Sequence, residues 1–433
     1  RGWHEPREAA RLPAGAPMSL AWSLYRAVAP ALGALAPAAR VVASAQERRL
    51  WGERLGHVGW PGGCHAWIHA ASLGESLGVA PLLGELLALQ PGARVWLTAT
   101  TRGGRARLAE ASDRVSLAPL DAPQCVRRFF SGIHPERLFL METELWPHWL
   151  MRARADGVPV VVVSARLSER SARHYARLGG GFRKLVAGLA AVLCQSHADA
   201  ERWTSIGAPR LRTAVVGNLK NDALPSAAAV PGAARAGLGL DRERPLLVLG
   251  SLRPGEARML ARAWLAVPKP VREYWQVVAV PRHPRASAEL AREAREAGVV
   301  VAGPDAPAGA WRWDDRLGVL AGYYAVSDAA FVGGSLLPYG GHNPLEPAAC
   351  GAALLMGPFF ESQHSAVTAL AARDAIRIAS DPPALNSALV DLLADEAGRH
   401  ARGAAALAVT GELRGAARRT LDLLTAWRLW PAG

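Results

Sequence analysis

Short β-rich runs alternate with helical patterns from about residue 64 onward, and no other feature restricts the fold as tightly. In the first half the runs are "HAWIHAA", "RVWLTAT", "RVSLAP", "RLFLME", "VPVVVVSA", "AAVLCQS" and "RTAVVGN". Amphipathic segments such as "APLLGELLALQ", "PQCVRRFFSGI" and "SHADAERWTSIG" lie between them. Strands separated by helices pair in parallel, because each helix carries the chain back across a sheet face. The stretch "NDALPSAAAVPGAARAGLGLDRERP" breaks the rhythm with Ala, Gly and Pro. Alternation then resumes with "PLLVLGS", "WQVVAVP", "GVVVAG", "LGVLAG", "AAFVGGS", "AALLMG" and "AIRIA". The pattern predicts an α/β chain of two doubly wound, Rossmann-like domains facing a ligand cleft at the carboxyl ends of their strands. The expected boundaries are 46–222 for the first domain, 223–243 for a linker and 244–433 for the second. The closing helical segment "LRGAARRTLDLLTAWRLW" falls in that last span and is long enough to lie back across the first domain.

A chain of 433 residues, half of them hydrophobic, has enough apolar material for two cores. Cys64, Cys125, Cys194 and Cys350 are widely scattered, with no C-x-x-C pair and no His cluster at ligand spacing. That excludes a disulfide framework or a zinc module and suits a reducing compartment. The formal charge is +13, and it is unevenly placed. Residues 1–222 hold 28 Lys+Arg against 17 Asp+Glu, whereas residues 223–433 hold 22 against 20. An anionic partner is therefore expected at the first half: a phosphorylated substrate, an acidic membrane surface or nucleic acid. Nucleic acid would call for aromatics interleaved with the basic face, and that pattern is absent. Residues 1–45 read as an extension followed by a membrane-associating segment, with Met18 a natural start for "MSLAWSLYRAVAPALGALAPAARVV". Arg26, Pro30 and Pro37 interrupt this run, so an interfacial anchor is expected rather than a span.

Two strand ends carry acidic groups. In "AWIHAASLGES", Ser72 and Glu75 have the spacing of a capping box, in which the carboxylate reaches back to the cap residue. The same position, at a strand's carboxyl end and a helix's first turn, suits a catalytic base. "FLMETELWPHWL" places Glu142 and Glu144 at another strand end. In "SARLSERSARHYARL", Arg166, Arg170, Arg173 and Arg177 recur at spacings of four, three and four. On a helix they form one guanidinium stripe, suited to the phosphates of a large acceptor.

The second half carries the phosphate-like features. "AAFVGGSLLPYGGHNPLEPAACGAALLMGP" sets Gly333, Gly334 and Ser335 after a strand, then a second Gly pair ending at Gly341, then a helix start. Asn343 is expected as the N-cap, Pro344 as the first helical residue and Glu346 as an acceptor for ribose hydroxyls. Glycines there would let backbone N–H groups approach an anion. "VVAVPRHPR" leaves Arg282 and His283 at a strand end, and "VLGSLRPGEARML" leaves Ser251 at another. No Walker loop, Ser–His–Asp elbow or D-x-D motif occurs, so neither a cofactor nor a metal is implied.

Together, "WGERLG", "IHAASLGES", "METELWP", "SARLSERS", "GNLKND", "PRHP" and "FVGGSLLPYGGHNPLEP" resemble the Kdo transferase family. The resemblance runs from roughly Trp51 to beyond residue 360. It implies a GT-B glycosyltransferase moving 3-deoxy-D-manno-octulosonate (Kdo) from CMP-Kdo to a phosphorylated lipid A precursor, in lipopolysaccharide assembly at the cytoplasmic face of a bacterial inner membrane. It also implies that Glu75 deprotonates the acceptor hydroxyl, with inversion at the anomeric carbon. Ser251, Arg282, His283, Gly333, Gly334, Ser335, Gly341, Asn343 and Glu346 would hold CMP. Glu142, Glu144 and the arginine stripe would meet the acceptor. One departure from the family pattern is Leu252-Arg253, where a Thr-His pair is usual. The alternatives are another GT-B nucleotide-sugar enzyme, such as a hexosamine transferase or an epimerase, or an inactive CMP-binding relative.

Overall fold

The computed structural model describes Tyr25, residues 27–31, 33–34, 38, 44–60 and 62–431. The expectations for residues 1–17, and for most of the stretch after Met18, lie outside the described residues. Among the described residues, no helix is long and apolar enough to cross a membrane. The chain divides into two units, one holding the residues up to Ala223 together with those from Gly415 on, the other Leu224–Arg414.

The first unit has seven strands: β1 (Ala66–His69), β2 (Val95–Ala99), β3 (Val115–Leu117), β4 (Leu138–Met141), β5 (Val160–Ala165), β6 (Ala191–Cys194) and β7 (Thr213–Val215). They form one parallel sheet in the order β3-β2-β1-β4-β5-β6-β7. Most of the strand residues are apolar and buried, because both faces are covered. Successive residues feed opposite faces, as Trp67, Leu138, Leu140 and Val162 enter one core and Ile68, Phe139, Met141 and Val161 the other.

The second unit repeats the plan with β8 (Leu246–Leu252), β9 (Gln276–Pro281), β10 (Val301–Ala302), β11 (Trp311–Trp313), β12 (Ala329–Val332), β13 (Ala353–Met356) and β14 (Ile376–Ile378). Its parallel order is β10-β11-β9-β8-β12-β13-β14. Strand order reverses between β1 and β4 in one unit and between β8 and β12 in the other. Such switch points leave crevices at the strands' carboxyl ends, where open α/β sheets bind ligands.

Three expectations need correction. "LGVLAG" is not a strand, since Leu320–Tyr324 is a helix that buries Tyr323 and Tyr324 in the core. The strand is instead the aromatic "WRW" of Trp311–Trp313, with Trp311 and Arg312 both buried. Residues 223–243, expected as the linker, are not free. They include the helix Pro231–Gly237, whose buried Arg235 donates to Val326 O and pairs with Asp328, while Leu224, Ala234 and Leu238 pack on the second core. The closing helix Ala416–Ala426 belongs to the first unit rather than the second. Ala417, Leu421, Leu424 and Trp430 fill its core, and the Asp222 carboxylate accepts the N–H groups of Gly415 and Ala417 at 2.5 and 2.6 Å.

Candidate functional site

Glu75 follows β1 at the switch point of the first unit. Ser72 caps a single helical turn, Leu73–Ser76, and a second helix, Val79–Leu89, starts after Gly78. The capping box forms with one displacement. Ser72 Oγ accepts the N–H of Glu75 at 3.3 Å as expected. The carboxylate, however, reaches past Ser72 and accepts the N–H of Ala71 at 2.8 Å through Oε2, while Oε1 accepts from the Ser72 hydroxyl at 3.1 Å. These contacts fix the carboxylate and still leave lone pairs on both oxygens. Burial pushes its pKa above the usual carboxylate range, and the charges of Glu144 and Glu142 add to that; the Ala71 N–H and the Ser72 hydroxyl pull the other way. A one-turn helix contributes little macrodipole, so these two hydrogen bonds are the chief local support for the anion.

Glu142 sits directly after β4 with φ of 54° and pairs with Lys220, carried by the "GNLKND" turn. Glu144 accepts from Trp146 Nε1 at 2.8 Å and faces the buried His69. The Thr143 hydroxyl donates to Arg166 O, which ties the turn after β4 to the one after β5. The structure thus groups Glu75, Glu142 and Glu144, and adds Lys220 and His69, to which the sequence reading gave no role. Their signal was present, because both lie inside strings that carried the family resemblance.

The arginine stripe is shorter than expected. Ser168 caps the helix Glu169–Ala176, so Arg166 precedes it and only Arg170, Arg173 and Arg177 share the helical register. All four guanidinium residues are exposed, and Arg173 pairs with Glu169 at 3.6 Å.

In the second unit, Ser251 is the bulged residue just before the end of β8, with φ of 58°, and Arg282 and His283 follow β9. The loop after β12 closes on itself, with Gly341 N–H donating to Gly334 O at 2.7 Å and His342 N–H to Gly333 O at 3.1 Å. Gly334 has φ of +70°, and a Cβ there would lie 2.8 Å from the His342 ring. Asn343 accepts the Leu345 N–H at 3.1 Å and donates to Glu346 at 3.3 Å, so its side chain caps the short helix Leu345–Ala348 with Pro344 at the cap position itself. Burial raises the Glu346 pKa, against the pull of Asn343 and Arg282.

Cations gather above this loop. Burial, then Arg282, Arg253 and His283, pushes His342 down to about 4, and burial with Arg282, Arg253 and Arg285 lowers His283. Neutral imidazoles among guanidiniums form an electropositive crevice fit for a phosphate. Arg253 and His342 were not among the expected site residues; the "GGHNP" string and the strand-end position of Arg253 pointed to both.

Gly334 and Ser335 do not serve as the expected open anion cradle. Their N–H groups, with that of Leu336, donate to the buried carboxylate of Glu256 at 2.7 to 2.9 Å. Ser335 is fully buried, its hydroxyl donates to Val332 O at 2.6 Å and its oxygen accepts the Gly357 N–H at 2.9 Å. No donor on Ser335 remains for a ligand. Among the described residues no group of three His, Cys, Asp or Glu could hold a metal ion.

Residues 49–223 match the family model described as 3-deoxy-D-manno-octulosonic-acid transferase. The 3-deoxy-D-manno-octulosonic acid transferase of Bordetella pertussis is 38% identical over 384 residues, which span 83% of this chain and 87% of the relative. That of Haemophilus influenzae is 29% identical over 88% of this chain and 92% of the relative. Among solved structures, the UDP-GlcNAc 2-epimerase of Neisseria meningitidis, bound to UDP-GlcNAc, has a TM-score of 0.59 at 12% identity, covering 83% of this chain and 99% of its own. At that identity the likeness shows the fold alone, two parallel α/β units of the GT-B kind. By sequence, the chain belongs to the 3-deoxy-D-manno-octulosonic acid transferase family.

Proposed function

We propose that the protein transfers Kdo from CMP-Kdo to a hydroxyl of a phosphorylated lipid A precursor, with inversion and with Glu75 as general base. Glu75 takes the proton of the acceptor hydroxyl as its oxygen attacks the anomeric carbon. The bond from that carbon to the CMP phosphate oxygen breaks, and CMP leaves with the electron pair. Arg282 meets the developing phosphate charge and the neutral His283 imidazole can donate a hydrogen bond to it, roles that preorganised donors fill well. Asn343 and Glu346 are suited to the nucleoside hydroxyls. The exposed arginines Arg166, Arg170, Arg173 and Arg177 engage the acceptor's phosphates, beside the acidic pair Glu142 and Glu144. The basic first half favours work at the cytoplasmic face of the bacterial inner membrane.

The observation that carries this reading is the setting of Glu75. A carboxylate held by Ala71 and Ser72 at a switch point, with its pKa raised by burial, suits proton abstraction. Mass spectrometry of a lipid A precursor incubated with CMP-Kdo and the purified protein tests it. Product heavier by one or more Kdo units supports the proposal and counts the transfers. CMP binding without product would point to an inactive relative or another acceptor.

A further inference from the structure

Glu256 is the first residue of the helix Glu256–Ala266 and is fully buried. Its carboxylate accepts four backbone N–H groups. Oε2 takes those of Arg253 at 2.8 Å and Gly334 at 2.7 Å, and Oε1 takes those of Ser335 at 2.8 Å and Leu336 at 2.9 Å. One side chain therefore ties the turn after β8 to the loop after β12, on the two sides of the switch point. A buried carboxylate is expensive to desolvate, and a carboxylate with this many partners is a fixed structural anion. A second anion cannot share the same four N–H groups. A phosphate bound in this crevice must then be met by side chains.

Arg253 is the side chain that this arrangement sets in place. Its own N–H is one of the four donors, so its backbone is fixed by the same carboxylate. Its guanidinium centre lies 4.5 Å from the Tyr339 ring centroid, on the loop that Glu256 holds from the other side. Its Nε is buried and has no hydrogen-bond partner. A guanidinium that is stacked on one face and lacks an acceptor is poised for an oxyanion.

Building on the donor reading above, we propose that Glu256 is a positioning residue of the donor site and that Arg253 is the phosphate contact it positions. The anion-binding role expected of the Gly334-Ser335 backbone passes to this arginine.

Calorimetric titration of CMP into the wild type, Glu256→Gln, Arg253→Met and the double variant tests this. Arg253→Met should weaken CMP by about tenfold or more, the worth of one charge-assisted hydrogen bond, with an unchanged melting temperature. Glu256→Gln, which puts an NH2 where an acceptor is needed, should weaken CMP to a similar degree. The double variant should bind no more weakly than either single one, because both losses act through the same contact. A Glu256→Gln protein that melts earlier yet binds CMP normally would make Glu256 merely structural and overturn the proposal. Unchanged affinity in Arg253→Met would overturn it too, and that variant decides alone if Glu256→Gln does not fold. Wild-type protein that ignores CMP would instead remove the donor reading, and this inference with it.

Discussion

His69 Nε2 stands 3.7 Å from Glu144 Oε2, and this fully buried imidazole nitrogen has no hydrogen-bond partner. The tautomer follows from the other side of the ring. Trp67 Nε1–H donates to Thr98 Oγ1 at 2.7 Å, and the Thr98 hydroxyl has its own proton to give His69 Nδ1 at 2.9 Å. A ring that accepts at Nδ1 carries its proton on Nε2, and that proton faces Glu144. The prediction is a ring that accepts at Nδ1 and carries a proton on Nε2, read by nitrogen-15 NMR of the imidazole. His69→Phe should remove the acceptor for Thr98 and lower stability by about 1–3 kcal/mol in urea unfolding, the usual penalty for an orphaned buried polar group.

With Glu75 as the proposed base, its raised pKa should set the acid limb of activity. Only the ionised carboxylate can take a proton, so the rate should climb with pH through a value above the usual carboxylate range. Glu142→Gln or Glu144→Gln should move that limb to lower pH, because each removes a negative neighbour. A pH profile of kcat/KM in all three proteins checks the direction.

Stability should run the opposite way. A carboxyl whose pKa is higher folded than unfolded binds more protons in the native state between the two values. Its stabilisation is full below the unfolded pKa and is lost as pH rises through the folded one. Glu75→Gln keeps an amide oxygen for the Ala71 N–H and carries no charge to desolvate. Its melting temperature should gain on the wild type's as pH rises through the ordinary carboxylate range and above it.

Gly334→Ala tests the loop after β12. At φ of +70° an L side chain is strained by about 1–2 kcal/mol. The added Cβ also meets the His342 ring, so donor binding should weaken together with stability. Titration of CMP and thermal melting read the two effects.

The Asp222 cap should tie the closing helix to the first unit. Asp222→Ala removes the acceptor of both Gly415 and Ala417, and should cost about 1–2 kcal/mol, near the upper range for a helix cap. Limited proteolysis should then cut near Gly415 first.

Parallel-sheet strands were the most legible part of the sequence, because burial on both faces writes them as unbroken apolar runs such as "VPVVVVSA". Trp311–Trp313 was hidden by its central arginine, and "LGVLAG" misled because a short apolar run fits a buried helix equally well. The acids at the ends of β1 and β4 were legible as well, since strand ends can be located before their neighbours are known. What the sequence withheld were long-range pairings. The carboxylate of Glu256 is 78 residues or more from the loop whose N–H groups it takes, so Gly334 and Ser335 read as an open cradle. Lys220 is likewise 78 residues from Glu142. The closing helix was expected to be able to lie back across the first domain, but the Asp222 contact that caps it there is one that no local pattern announces.

Single-turnover transfer by Glu75→Gln, beside its affinity for CMP, tests the central claim most directly. The account predicts CMP affinity close to wild type, because Glu75 lies in the first unit and the donor is assigned to the second. It predicts a transfer rate lower by about 10²–10⁴-fold, the contribution of a positioned general base. A variant that still transfers within about tenfold of the wild type, well short of a base's usual contribution, would reduce Glu75 to a helix cap and contradict the mechanism.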